Sequence, residues 1–380
     1  MRVATRPSPA VTKATTTRTE PSTTTRFVQA SRMRCWLLPV AIGVAACTPP
    51  AASPTPAPTA PARPLHRGPL SDFVSAAGLR WLVQLKPQQI LSDPELAPAI
   101  EPIVSGTHFE AFQESSGVDI RRVPAAVIAG YPYSTLYLAE LPTGSAEVAR
   151  ARFSERLLSG TVSKRPHPGL VRITGVIGQT PETLLTMDER LLAVAVGDPL
   201  AVKIAEAYAQ ERLKNSPTAL RGAALSTLPD LASKNVAVLL APGPFADEWQ
   251  RAARGLLQST VALAIGVQPS GHGKLVTTLC LAGTWSSSAD DAKARLRDAW
   301  TTLAQSTAGH LFELNPVADV TASPDLLTLR VELELVALVR GLRASVWGDL
   351  SQILRLPEKP SPHVDDPKGA PETGSHSNDR

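Results

Sequence analysis

Thr135-Leu136-Tyr137-Leu138-Ala139 and Thr278-Leu279-Cys280-Leu281-Ala282 are nearly the same phrase, set 143 positions apart. The correspondence runs outward from it without a gap. Ser145-Ala146-Glu147 faces Ser288-Ala289-Asp290, and Ala149-Arg150-Ala151-Arg152-Phe153 faces Ala292-Lys293-Ala294-Arg295-Leu296. At the same offset, Thr180-Pro181-Glu182 meets Ser323-Pro324-Asp325, each introducing a strand-like run. One offset held across a strand, a turn, a helix and the next strand points to an internal duplication.

The two copies share a coarse plan. In the first, 71–215, strands are expected at 80–85 and in a hairpin of 125–130 with 135–140, followed by a helix at 145–158 with Ser145 as its N-cap. Strands near 171–176, 183–186 and 191–196 and a helix at 200–213 complete it. In the second, 230–354, a strand at 236–240 precedes a helix at 245–258, a hairpin of 261–267 with 275–282, a helix at 289–304, a strand at 326–333 and a last helix. Antiparallel hairpins flanked by helices give an α+β class: two similar sandwiches from the duplication, each an antiparallel-rich sheet with helices on one face.

Strand alternation assigns the faces. Leu136 and Leu138, and likewise Leu279 and Leu281, are expected beneath their own helices, against Phe153 and Leu296. Tyr137 and Cys280 then take equivalent places on the opposite face, with Cys280 buried where the two sheets meet.

Apolar residues make up 43% of the 380, enough for a sizeable core. The net charge of +4 and pI near 9.0 suggest a nucleic-acid partner at first sight. Seven basic residues before Cys35, against Glu20 alone, account for it, and the remainder holds 31 basic and 33 acidic residues. No electrostatic case for nucleic acid survives this division.

Residues 33–46 read as a secretory signal: a basic residue, an apolar run from Cys35 to Val44 and small residues before Cys47. The run is too short for the roughly 20 residues a membrane-spanning helix needs. Val44-Ala45-Ala46-Cys47 resembles the lipobox of bacterial lipoproteins, an aliphatic and two small residues before the modified cysteine. The resemblance implies diacylglyceryl on the Cys47 sulfur and an acyl chain on its freed amine. Several buried chains anchor stably where one is marginal. Thr48, rather than Asp, after the cysteine implies the outer membrane over the inner.

Residues 1–32 are expected to be disordered, with translation starting at Met33. From Cys47 to about 70 a Pro/Ala/Thr tract forms a spacer reaching up to about 70 Å at roughly 3.1 Å per residue. Residues 357–380 read as a second disordered segment, so His363 and His376 carry little weight as ligands.

Chemistry is hard to find in this chain. Gly271-His272-Gly273-Lys274 lacks the following Ser or Thr and the helix start of a phosphate loop, and reads as a hairpin turn. No G-x-S-x-G elbow occurs, and His108, His167, His272 and His310 are scattered, so no metal and no other cofactor is expected. Cys280 sits in an apolar strand without a neighbouring base, which is inert packing. Arg330, Glu332 and Glu334 alternate with Leu329, Val331 and Leu333 as the wetter side of a strand. Tyr131 and Tyr133, at the tip of the first hairpin, are a candidate contact surface.

The sequence therefore describes a lipid-anchored envelope protein with a non-catalytic binding or interaction body. Its partners are the membrane, through its anchor, and an envelope protein. A carrier of lipid or a small apolar ligand, and an enzyme whose site converges only in space, remain open alternatives.

Overall fold

The computed structural model describes residues 63–285 and 288–353, all within a unit spanning Ala60–Arg380. Its described residues form five hydrophobic clusters. Strand β1 (Trp81–Leu85) leads into helices α1 (Pro87–Ser92), α2 (Leu96–Ile100) and α3 (Gly106–Ser116). The hairpin β2 (Ala126–Gly130) and β3 (Ser134–Glu140) is followed by α4 (Ser145–Arg156), which exposes most of its charge and buries only Ala146, Ala149 and Phe153. A meander of β4 (Ser159–His167), β5 (Leu170–Ile177), β6 (Thr180–Met187) and β7 (Leu191–Gly197) then reaches α5 (Leu200–Ala209).

The chain restarts with β8 (Ala237–Pro242), α6 (Asp247–Ala252) and a longer hairpin, β9 (Thr260–Gly271) and β10 (Lys274–Gly283). Helices α7 (Ala289–Ala304) and α8 (Thr307–Leu311), strands β11 (Asp319–Ala322) and β12 (Leu326–Glu334), and α9 (Leu335–Ile353) complete it. Among the described residues no helix is long and apolar enough to cross a membrane.

Among the described residues, twelve strands join one antiparallel sheet in the order β11-β12-β10-β9-β8-β1-β2-β3-β7-β6-β5-β4. The expectation of two separate sandwiches is corrected here. Strand β1 pairs with β2 on one edge and with β8 on the other, from Leu82↔Leu240 to Leu85↔Ala237. A bare β1 edge would leave a row of backbone groups unpaired, and β8 satisfies them. Read outward from this seam, the order is β1-β2-β3-β7 one way and β8-β9-β10-β12 the other.

Helices cover both faces, not one. On one face, Cys280, Ala264, Leu240, Leu82, Ala129, Leu136 and Ala195 are successive cross-strand partners. They join one core with Val202, Ala205 and Ala209 of α5 and with Phe73 and Val74. Small residues at four of these positions, Cys280, Ala264, Ala129 and Ala195, let α5 and the 65–79 segment lie close to the sheet. Glu206 of α5, only 5% exposed, receives the guanidinium of Arg172 from β5, while Arg212 lies 3.5 Å from its other oxygen. A buried carboxylate needs such partners, and removing one leaves an uncompensated charge.

The opposite face carries α4, whose Ala146 and Ala149 pack with Ala139 and Leu192, and α7, whose Ala292 and Leu296 pack with Leu279, Leu281 and Leu327. Leu279 and Leu281 therefore lie beneath their own helix, as expected. Leu136 and Leu138 do not, for they belong to the α5 core. Phe153 instead contacts the region of Ile173 and Leu184. The offset of 143 matches the buried positions of the two helices but slips by one residue in the strands before them. A one-residue slip exchanges faces, so Tyr137 and Cys280 are not equivalent. The match of Thr180-Pro181-Glu182 to Ser323-Pro324-Asp325 fails too, because β7, not β6, takes the place beside β3 that β12 takes beside β10. Cys280 does face away from its helix, but it is buried under the α5 core rather than between two sheets.

Candidate functional site

The site starts from what α3 and α4 fail to fill. Helix α3, GTHFEAFQESS, has no apolar stripe and buries no residue, and its Phe112 is 46% exposed. It ends on Gly117, in the left-handed region at φ +75°, where a Cβ would come within 2.9 Å of the Val148 backbone. Any side chain there would push α3 off α4, so glycine is required by both strain and space. Helix α4 approaches the sheet through two alanines, which bring its backbone close but supply little volume.

Between these helices and the sheet lies a cleft of about 370 Å³, within the range of small-molecule sites. Its floor is Ile128, Tyr137, Leu192, Val194 and Leu184, with Val118 and Val123 closing one end and Phe112 and Phe153 on the helix side. The lining is mostly apolar, the exceptions being Ser116, whose hydroxyl donates to the Phe112 carbonyl, and Tyr137, Arg156 and Glu182. Glu182 is partly buried, and burial pushes its carboxyl above the ordinary range while the Arg156 guanidinium opposes the shift.

A second cavity of about 350 Å³ is polar, lined by His66, Asp72, Tyr208, Thr218 and Arg221. His66 Nε2 stands 3.2 Å from Asp72. The hydroxyl of Thr218 has no partner among the described residues, so it is not hydrogen-bonded to that pair. Asp72 is approached by His66 and, at 3.9 Å, by Arg221. This arrangement ties the 65–73 segment to residues 217–221 and leaves no hydroxyl activated by a base.

The residues singled out from the sequence fall as follows. Val44, Ala45, Ala46 and Cys47 lie outside the described residues. Tyr131 and Tyr133 are separated by the structure: Tyr133 is 84% exposed, whereas Tyr131 turns inward, joins the α5 core and donates its hydroxyl to the Ser75 carbonyl at 3.1 Å. Burial pushes the Tyr131 phenol well above its ordinary range. Gly271, His272 and Gly273 all have positive φ and form the turn between β9 and β10. The Gly273 N–H donates to the Glu95 carboxylate at 3.1 Å, which places a negative charge where a phosphate would sit. Lys274 is 3.7 Å from both Glu332 and Glu334.

Cys280 is 2% exposed, with burial raising its thiol pKa and the Thr328 hydroxyl 3.9 Å from its sulfur. His108 contacts Ser105 and His167 contacts the Arg63 carbonyl. No group of three or more His, Cys, Asp or Glu poised for a metal occurs among the described residues.

Sequence reasoning missed the cleft. The available signal was the unstriped α3 beside an alanine-faced α4, two helices with too little apolar volume for the sheet they cover. In comparisons of the chain with protein-family models, with curated proteins and with solved structures, none matches it.

Proposed function

We propose that this chain is an envelope lipoprotein, lipidated at Cys47, whose non-catalytic body binds a small apolar ligand in the cleft beneath α3 and α4. The observation that carries the binding reading is the cleft itself: an apolar hollow of about 370 Å³ roofed by a helix that buries nothing. Apolar surface left open to water is unfavourable by roughly 25 cal/mol per Å², and a ligand that covers it recovers that term. Anchoring through Cys47 and the 47–70 spacer would hold such a body within reach of a membrane, the source of apolar ligands, and an envelope protein would be its natural exchange partner.

Titrating the full chain with cis-parinaric acid tests the binding half of this reading. Saturable one-to-one fluorescence is expected, and Val194→Phe, which places a ring in the cleft, abolishes it. No saturation, or saturation indifferent to Val194→Phe, would overturn the reading. The anchoring half is tested by metabolic labelling with palmitate: Cys47→Ser should lose all label and remain uncleaved, and retained label would sink it.

The mirrored strand order about the β8–β1 seam, together with the offset of 143 between α4 and α7, also supports descent of the two halves from one unit. Two packed sandwiches are not required by it. Relatives whose halves resemble each other more closely would support this, and relatives with a differently ordered second half would overturn it.

A further inference from the structure

The cleft is apolar along its length and charged at one end only. Its floor crosses β6, β7, β3 and β2 to Leu85 on β1, about 19 Å at ~4.8 Å per strand. Leu85 and Pro87 close the far end without charge. At the near end Arg156, on the last turn of α4, and Glu182, at the start of β6, both line the hollow. The Arg156 guanidinium is close enough to oppose the burial-driven rise of the Glu182 carboxyl, yet the two form no ion pair among the described residues. Neither side chain, nor the hydroxyl of Tyr137, which lines the same cleft from β3, has a hydrogen-bond or salt-bridge partner among the described residues. Arg156 is exposed and Glu182 half-buried, whereas the deeply buried Glu206 is paired with Arg172 and Arg212. Opposite charges held apart at the mouth of an apolar hollow are complementary to a head group that itself carries both signs.

We propose that the cleft receives a single-chain zwitterionic amphiphile, its phosphate on Arg156, its ammonium on Glu182, and its acyl chain running over Val194 toward Leu85 and Pro87. This rests on the apolar-ligand reading above and adds the head group. Guanidinium and phosphate match in geometry, and a carboxylate at the same mouth disfavours ligands that are anionic only. The volume lies near the lower end of ligand cavities, which suits one chain rather than two.

The test measures binding of three probes with the same palmitoyl chain to the full chain, below their micelle concentrations: lysophosphatidylethanolamine, lysophosphatidylglycerol and monopalmitoylglycerol. The zwitterion should bind about tenfold more tightly than either other probe, the worth of one charge-assisted contact. Glu182→Gln should bring the two lysophospholipids within about threefold of each other, by weakening the zwitterion. Arg156→Gln should weaken both lysophospholipids about tenfold and leave the neutral glyceride unchanged. If all three bind alike and Val194→Phe abolishes all three, the head-group inference is wrong while the apolar-ligand reading stands. An unchanged preference in Glu182→Gln also overturns the inference. If none binds, both fall.

Discussion

The two halves of the sheet carry helices on the same face, and they treat the space beneath them differently. Under α7 the second half is filled: Leu256, Leu257, Trp285 and Leu296 close over Leu281, Leu327 and Leu329. Trp285 fills so completely that its indole N–H has no partner among the described residues. Under α3 and α4 the corresponding space is open: Ala149 and Phe153 stand where α7 has Ala292 and Leu296, but Phe153 packs toward Ile173 and Leu184, and nothing in the cleft lining takes the part of Trp285. A packed half suffices as a scaffold. An open half exposes apolar wall that packing would otherwise cover, which is the usual sign of a site kept for something else.

The largest expected difference between the halves is in large-to-small substitutions. Leu327→Ala, at a fully buried position of β12, should cost about 2–5 kcal/mol in urea unfolding. Val194→Ala, on β7 in the position β12 holds in the other half, should cost under about 1 kcal/mol because the lost methyl groups already face the cleft. Equal costs would mean that the cleft is closed in solution and would end the comparison.

Insertion sharpens it from the other side. Val194→Phe should change stability by less than about 1.5 kcal/mol in either direction, whereas overpacking a closed core typically costs 1–3 kcal/mol or more. Smaller still, Phe112→Ala should leave the unfolding midpoint within the error expected of a surface change, about 0.5 kcal/mol, while loosening probe binding several-fold.

The smallest effect is electrostatic. Burial raises the Glu182 carboxyl, so the folded state disfavours its charge at neutral pH. Below the ordinary carboxylate range the group is protonated folded and unfolded alike, and no penalty remains. The penalty grows as pH rises through that range and is complete above the raised folded value. Glu182→Gln should therefore be slightly more stable than the parent chain at neutral pH and equal to it in acid, as read from denaturation midpoints along a pH series.

Hairpins and amphipathic helices were legible in the sequence because they repeat at short range. The helix expected at 289–304 is α7 itself, and the 261–267 and 275–282 runs are the cores of β9 and β10. Helix 245–258 was legible only in part, since α6 ends at Ala252 and a separate short turn, Leu256–Gln258, supplies the buried leucines. Strand β4 escaped notice because Lys164, Arg165 and Pro166 give it no alternation, a pattern suited to the sheet edge where it lies.

Which face of β3 its helix would cover was not legible. Alternation separates Leu136 and Leu138 from Tyr137 and Ala139, but the crossing of residues 141–144, with Gly144 at φ +83°, decides which set meets α4. The pairing of β1 with β8 joins residues more than 150 apart and leaves no local pattern. The candidate site was illegible for a related reason: a cleft is missing volume, and Arg156 and Glu182 meet at its mouth only after two elements have packed.

That seam has a consequence for the order in which the protein assembles. From β2 to β7, and again from β9 to β12, every strand finds its partners within its own half of the chain, so each half can close once it is available. Until β8 arrives, however, β1 presents Trp-Leu-Val-Gln-Leu as a bare edge, a short apolar template open to any passing strand. A chain threaded outward from its N-terminus exposes that edge for as long as residues 86–236 take to follow. The interval between the two halves, rather than the stability of either, sets the window in which this molecule is vulnerable to mispairing.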